Sequence, residues 1–303
     1  MMPKSPFIVK TFALIAMACA LAACGAGSVK DPFIPTRVVV LGDALSDMTS
    51  TTTRYTVNDA ASTAINNWAE QVASSYGLTA TQIVAKAVGN AKIADVGVQA
   101  GTVAYLPGDL VLVSAGYRDL IDEAEAGHSQ AVAVATATAL GNAYADVVRG
   151  IVAAGAKHVV ALSTYNLSQT PYQTLGVRTA ATHPLSLMAR AFNDALKSNL
   201  GDSTKAYIGD NVRLANAELY MNGVSSNPSG NGFTDATTVV CTSMGNIGIV
   251  GSTLSSMGCT TSTLNAAIVA PQTYDSYVFA DPVYPTPALH RGLGNFVRSI
   301  LTW

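Results

Sequence analysis

Short, nearly unbroken apolar runs alternate along the chain with longer stretches in which apolar positions return every three or four residues. Runs at 38–41, 82–88, 109–115, 157–162 and 205–208 read as strands, and unbroken apolarity fits strands buried on both faces. Helical periodicity occupies 61–76, 129–154, 183–199 and 211–221, with a last helix over 287–303. Strands alternating with helices predict an α/β fold, a doubly wound parallel sheet whose ligands bind beyond the carboxyl ends of its strands. No internal repeat interrupts this order. A Gly/Ser/Thr-rich stretch at about 222–274 reads as an irregular insertion.

Charge adds exclusions more than assignments. The formal net charge is -2 and no Lys/Arg cluster is present, which argues against nucleic acid and against an anionic membrane surface. Outside the leader, no uncharged apolar stretch approaches the roughly 20 residues of a bilayer crossing. In the leader, Lys4 and Lys10 precede an apolar run ending at Ala23, and Leu21-Ala22-Ala23-Cys24-Gly25 reads as the lipobox of a bacterial lipoprotein signal. Residues 1–23 are then a signal peptide, Cys24 the lipidated N-terminus, 24–36 a tether and 37–303 the exported domain. Gly25 fits the sorting pattern that delivers such a protein to the periplasmic face of the outer membrane. The competing reading is an ordinary secretory peptide or a short anchor helix.

Cys241 and Cys259 are left in the exported domain, and an even pair in an oxidising compartment predicts a disulfide. Free thiols or a two-cysteine metal site compete, but no histidine lies in the insertion and zinc usually takes four Cys or His ligands. No metal site is expected. Dinucleotide, phosphate-loop, zinc-protease and calcium-loop motifs are absent, as is Gly-x-Ser-x-Gly, so no cofactor is implied.

The sequence does carry four blocks in the order and spacing of a known family. Gly42-Asp43-Ala44-Leu45-Ser46-Asp47 resembles the Gly-Asp-Ser-Leu-Ser-Asp block of the GDSL, or SGNH, ester hydrolases. Ala87-Val88-Gly89-Asn90-Ala91 resembles their glycine block, Gly116-Tyr117-Arg118-Asp119 their Gly-x-Asn-Asp, and Asp281-Pro282-Val283-Tyr284-Pro285-Thr286 their Asp-x-x-His-Pro-Thr. The resemblance implies a flavodoxin-like, three-layer α/β/α hydrolase fold over about 37–303. It also places Ala44 at the nucleophile, Gly89 and Arg118 at the two oxyanion-hole positions, Asp281 at the acid and Tyr284 at the general base.

Three of those five positions are altered, although Arg118 can still donate hydrogen bonds. Alanine forms no acyl intermediate, and a phenol with an ordinary pKa of about 10 is a poor proton acceptor at neutral pH. Arginine in place of asparagine brings a permanent charge and a longer side chain. A substitute pair exists in sequence, Ser46 as displaced nucleophile and His290 as base, although Ser46 reads more naturally as a cap of the first helix and His290 as a packing residue. Asp43 and Asp47 read as turn-forming acids and Trp68 as packing; His128, His158 and His183 are ordinary polar positions. Tyr55, Tyr105, Tyr117 and Tyr165 line either a cleft or the core.

Three functions follow as expectations. One is an envelope pseudoenzyme binding a ligand at the former active site. There the N–H groups of Ala44 and Gly89, the guanidinium of Arg118 and the phenol of Tyr284 would suit a carboxylate or acyl compound. Arg118 paired with Asp281 or Asp119 is the bland alternative. The second is an esterase or lipase working through Ser46 and His290. The third is a structural or interaction lipoprotein whose only membrane contact is its lipid anchor.

Overall fold

Arg37–Gly42 (β1) is buried at five of its six positions, as a central strand of a parallel sheet must be. In the computed structural model it lies between Ile83–Ala85 (β2) and Asp109–Ser114 (β3), followed by His158–Leu162 (β4) and Val212–Ala215 (β5). All four pairings are parallel and the order is β2-β1-β3-β4-β5. Helices cover both faces of this sheet. The structure describes residues 32–50, 52–59, 66–175, 182–202, 204–205, 208–249, 252–268, 270 and 272–303. Ile34–Leu301 form one compact unit. Cys24, the signal peptide and the tether up to Asp31 lie outside the described residues.

Seven helices appear among the described residues: Trp68–Ser75 (α1), Ile93–Gly101 (α2), Tyr117–Glu125 (α3), Gln130–Ala153 (α4), Leu185–Leu200 (α5), Ala217–Ser226 (α6) and Pro287–Ser299 (α7). Local chemistry sets their starts. The Asn67 side chain accepts the Ala69 N–H at the head of α1, and Pro287 opens α7, where a missing N–H costs nothing. The helix α1 packs against α7, and α4 against α5.

Several expected boundaries move. The fifth strand is Val212–Ala215, inside the span expected to open a helix at 211, and that helix begins at Ala217 instead. Of the strand expected at 205–208, residues 206 and 207 lie outside the described residues, and Lys205 is in a turn. Residues 61–65 of the first expected helix also lie outside them. Helices α2 and α3 were not expected, since two glycines weaken the helical signal of the first and five charges mask that of the second. Yet Tyr117, Leu120, Ile121 and Ala124 are buried at helical spacing.

The insertion is more ordered than its composition suggests. Asp235–Val239 (β6) pairs in parallel with Tyr277–Phe279 (β7), which leads straight into Asp281. Cys241 and Cys259 are bridged, with Cα atoms 5.8 Å apart. Around them Val57, Val240, Tyr277 and Ala280 form a small core of their own.

Candidate functional site

The 3-10 turn Ala44–Ser46 follows β1, the Gly89 turn follows β2, α3 follows β3, and Asp281 follows β7. Crossovers bring these chain segments to one end of the sheet, where ligands of such folds bind. Asp43 organises the turn. Its carboxylate accepts the Leu45 and Tyr117 N–H groups and the Ser114 hydroxyl, each at 3.3 Å. Burial nevertheless dominates, raising its pKa to about 7 against the pull of those bonds.

At the nucleophile position Ala44 presents only a methyl group, and that residue is 2 % exposed. Ser46 does not replace it. Its hydroxyl lies 2.6 Å from that of Ser114 and accepts the Trp68 indole N–H at 3.0 Å, wholly buried. Nor does it cap the turn, as the sequence suggested, because Asp43 holds that position. His290 is buried on α7, where Nδ1 accepts the Trp68 backbone N–H at 3.3 Å. Burial lowers its pKa to about 3 despite a hydrogen bond to the Tyr55 backbone. The two members of the substitute pair are thus each bonded to Trp68, and no hydrogen bond joins them among the described residues.

The oxyanion donors are largely spent inside the protein. The Gly89 N–H donates to Asp47 at 2.8 Å, and Asp47 also takes the N–H and hydroxyl of Thr49. Arg118 pairs with Asp122 one turn along α3 at 2.8 Å, and Lys92 meets the same carboxylate at 2.7 Å. The expected partners Asp281 and Asp119 are both engaged elsewhere, Asp119 with the Ile93 N–H. Helical i,i+4 geometry explains the choice, since Asp122 is the acid that α3 itself sets beside Arg118. Gly248, in the left-handed region at φ +87, lets the insertion pass directly over this guanidinium: a Cβ there would sit 2.4 Å from Nη1. The four-donor cluster expected for a carboxylate therefore does not form. The Ala44 N–H and the Tyr284 hydroxyl alone of that set donate no hydrogen bond among the described residues.

The acid and base positions have also been rewired. Asp281 is wholly buried and accepts four hydrogen bonds, from the Val283 and Tyr284 N–H groups at 2.9 and 2.7 Å and from the N–H and hydroxyl of Ser256 at 2.8 and 2.5 Å. Burial still raises its pKa, and the bonds only moderate the rise. Tyr284 is 1 % exposed, its phenol pushed well above the ordinary range by burial and by the charges of Asp43 and Asp281.

Aromatic rings fill the space. Tyr284 lies edge-on to Tyr55 at 5.1 Å and to Tyr117 at 6.4 Å, and Tyr117 contacts Tyr165 at 4.6 Å. Tyr55 itself rests on Gly89, where a Cβ would be 2.5 Å from its Cε2, and takes a hydrogen bond from Asn90 at 3.1 Å. Tyr105 stands apart, bonded to the Ala100 carbonyl. Ser256 was not legible as a site feature, since a loop of the insertion brings it in. Asp47, read as a turn-forming acid, holds the Gly89 N–H, and Tyr55, read as lining either a cleft or the core, covers Gly89.

The sequence profile of the GDSL-like Lipase/Acylhydrolase family matches residues 38–297. No curated protein sequence is a match. Among solved structures, a lipolytic protein of the G-D-S-L family from Veillonella parvula DSM 2008 is similar at 11% identity and TM-score 0.48, over 87% of this chain and 97% of its own. An acetylxylan esterase from Geobacillus stearothermophilus gives 11% and 0.47 over 89% and 97%. Phospholipase A1 from Streptomyces albidoflavus NA297 gives 15% and 0.46 over 88% and 98%. With the family profile running from β1 to α7 and the sheet ordered as described, this chain belongs to the GDSL-like lipase/acylhydrolase family.

Proposed function

We propose that this chain is a pseudoenzyme of the GDSL family, exported and anchored to the bacterial envelope through Cys24, that serves as an interaction lipoprotein and does not hydrolyse esters. One observation carries the reading: one oxygen of Asp281 accepts both hydrogen bonds of Ser256, while Tyr284 occupies the base position and Ala44 the nucleophile position. Acyl transfer needs a nucleophile, a base that takes its proton and an acid that orients the base. Here each of the three is missing or diverted. In hydrolases of this logic, what survives such a loss is roughly 10³ to 10⁴ fold over water, from the oxyanion hole and binding. With Gly89 bonded to Asp47, even that residue of catalysis is weakened.

Hydrolysis of short-chain nitrophenyl esters by the full chain is the test. Turnover at background supports the reading; turnover that disappears in Ser46→Ala overturns it in favour of an esterase.

The unengaged Ala44 N–H and Tyr284 hydroxyl favour one second reading, a carboxylate or acyl ligand held by two neutral donors. Calorimetry with short fatty acids on the parent and on Tyr284→Phe tests it. Binding that weakens in the variant supports a ligand; absence of binding removes it.

A further inference from the structure

We infer that two chain segments, Arg54–Asn58 and Ser255–Cys259, form a strap that shuts the former catalytic position, and that the Cys241–Cys259 bridge keeps it shut. The first segment carries Tyr55, whose ring lies on Gly89 and against Tyr284. Ala44 is 2 % exposed, and the strap accounts for that burial.

The roof is fastened from the insertion. Met257 pairs antiparallel with Tyr55. The backbone and side-chain N–H groups of Asn58 both donate to the Cys259 carbonyl, at 2.7 and 3.1 Å. Val57 packs into the small core built round the disulfide. On the far side Ser256 is bolted to Asp281 by two hydrogen bonds, and Thr56 donates its hydroxyl to the Pro285 carbonyl at 2.9 Å. Tyr55 is thus fastened through residues within three positions of Cys259 and through the block that holds Asp281 and Tyr284, in addition to its Asn90 bond, the His290 bond to its backbone and the Arg54–Glu70 ion pair beside it.

The arrangement has a definite logic. A loop with few long-range bonds opens at little cost, whereas one tied to a cross-linked core opens only when that core does. Removing the bridge leaves the main sheet intact, since both ends of the bridge lie within the insertion. It releases the Asn58–Cys259 bonds and Val57 together, which lowers the cost of lifting Tyr55 off Gly89. The Ala44 N–H and the Tyr284 hydroxyl then face solvent. The strap goes beyond the loss of catalysis, because a dead site need not be a closed one.

A reporter thiol decides it. Ala44→Cys in the full chain is treated with an uncharged maleimide and the modification is read at residue 44 by peptide mass. In the otherwise native protein it should react slowly. In Tyr55→Ala, and in Cys241→Ser/Cys259→Ser, it should react faster by about tenfold or more, the gain expected when protection rests on local opening. A second reporter, Ala161→Cys in the middle of β4, must stay protected throughout. Rapid modification at 44 in the closed protein overturns the strap, as does an unchanged rate in both opened variants. Acceleration at 44 and 161 together means global loosening and overturns it too. Ester turnover on the same samples bears on the non-catalytic reading alone, so failure of one idea is distinguishable from failure of the other.

Discussion

Ser256 binds Asp281 through both its backbone N–H and its hydroxyl, at 2.8 and 2.5 Å on one carboxylate oxygen. The residues are 25 positions apart and belong to different parts of the architecture, an insertion loop and the final motif block. An oxygen that would orient an imidazole is thereby occupied.

Restoring the motif residues alone should fail for that reason. The triple variant Ala44→Ser, Arg118→Asn, Tyr284→His is expected to remain near background, because a new imidazole at 284 finds Asp281 already saturated. Adding Ser256→Ala should raise nitrophenyl acetate turnover by about tenfold or more, in keeping with the cost of a misoriented base. Equal rates with and without Ser256→Ala would show that the carboxylate is not the obstacle.

Asp43 should make the fold less stable as pH rises. Its pKa goes from an ordinary value near 4 in the unfolded chain to about 7 in the folded one, so between those limits the folded state holds the extra proton. Stability from this group is complete below pH 4 and is lost as pH climbs through about 7. In urea unfolding between pH 5 and 7.5, the parent should lose stability relative to Asp43→Asn as pH rises. A decline of the same slope in the variant refutes the assignment.

His290 acts with the opposite sign at lower pH. Buried and neutral, with its pKa lowered to about 3 from near 6.5, it is protonated more readily in the unfolded chain. Its contribution is present above pH 6.5 and falls away as pH drops toward 3. His290→Gln, compared with the parent at pH 4 and pH 7, should lose less of its stability in acid. The nitrogen that accepts the Trp68 N–H makes the same variant weaker overall by about 1 kcal/mol, the usual net worth of one hydrogen bond.

Anchoring through Cys24 is a proposal that rests on the lipobox. Cys24→Ser should leave the precursor unprocessed or release the protein from the membrane fraction, read by cell fractionation and by the intact mass of the mature chain. A processed, membrane-bound Cys24→Ser protein would remove the lipoprotein assignment.

Sequence by itself was enough for the first four strands of the sheet. Strands such as Val38–Leu41 are apolar throughout because both faces are buried, and their alternation with helical stretches makes that pattern a parallel core. The four motif blocks and the altered residues Ala44, Arg118 and Tyr284 were equally legible, since each is a local word in a fixed place. The fifth strand was not, because Val212–Ala215 is only four residues long and leads directly into helix α6. Still less could the sequence reveal how the site is finished. Whether the Gly89 N–H is free, whether Arg118 meets a ligand or Asp122, and where Ser256 and Tyr55 come to rest depend on contacts between distant segments. Those contacts are set by the disulfide-bridged core and by hydrogen-bond satisfaction of buried groups, which have no periodicity to read. Ala44 told of lost chemistry from its own identity; only the tertiary structure disclosed that the place it occupies is buried.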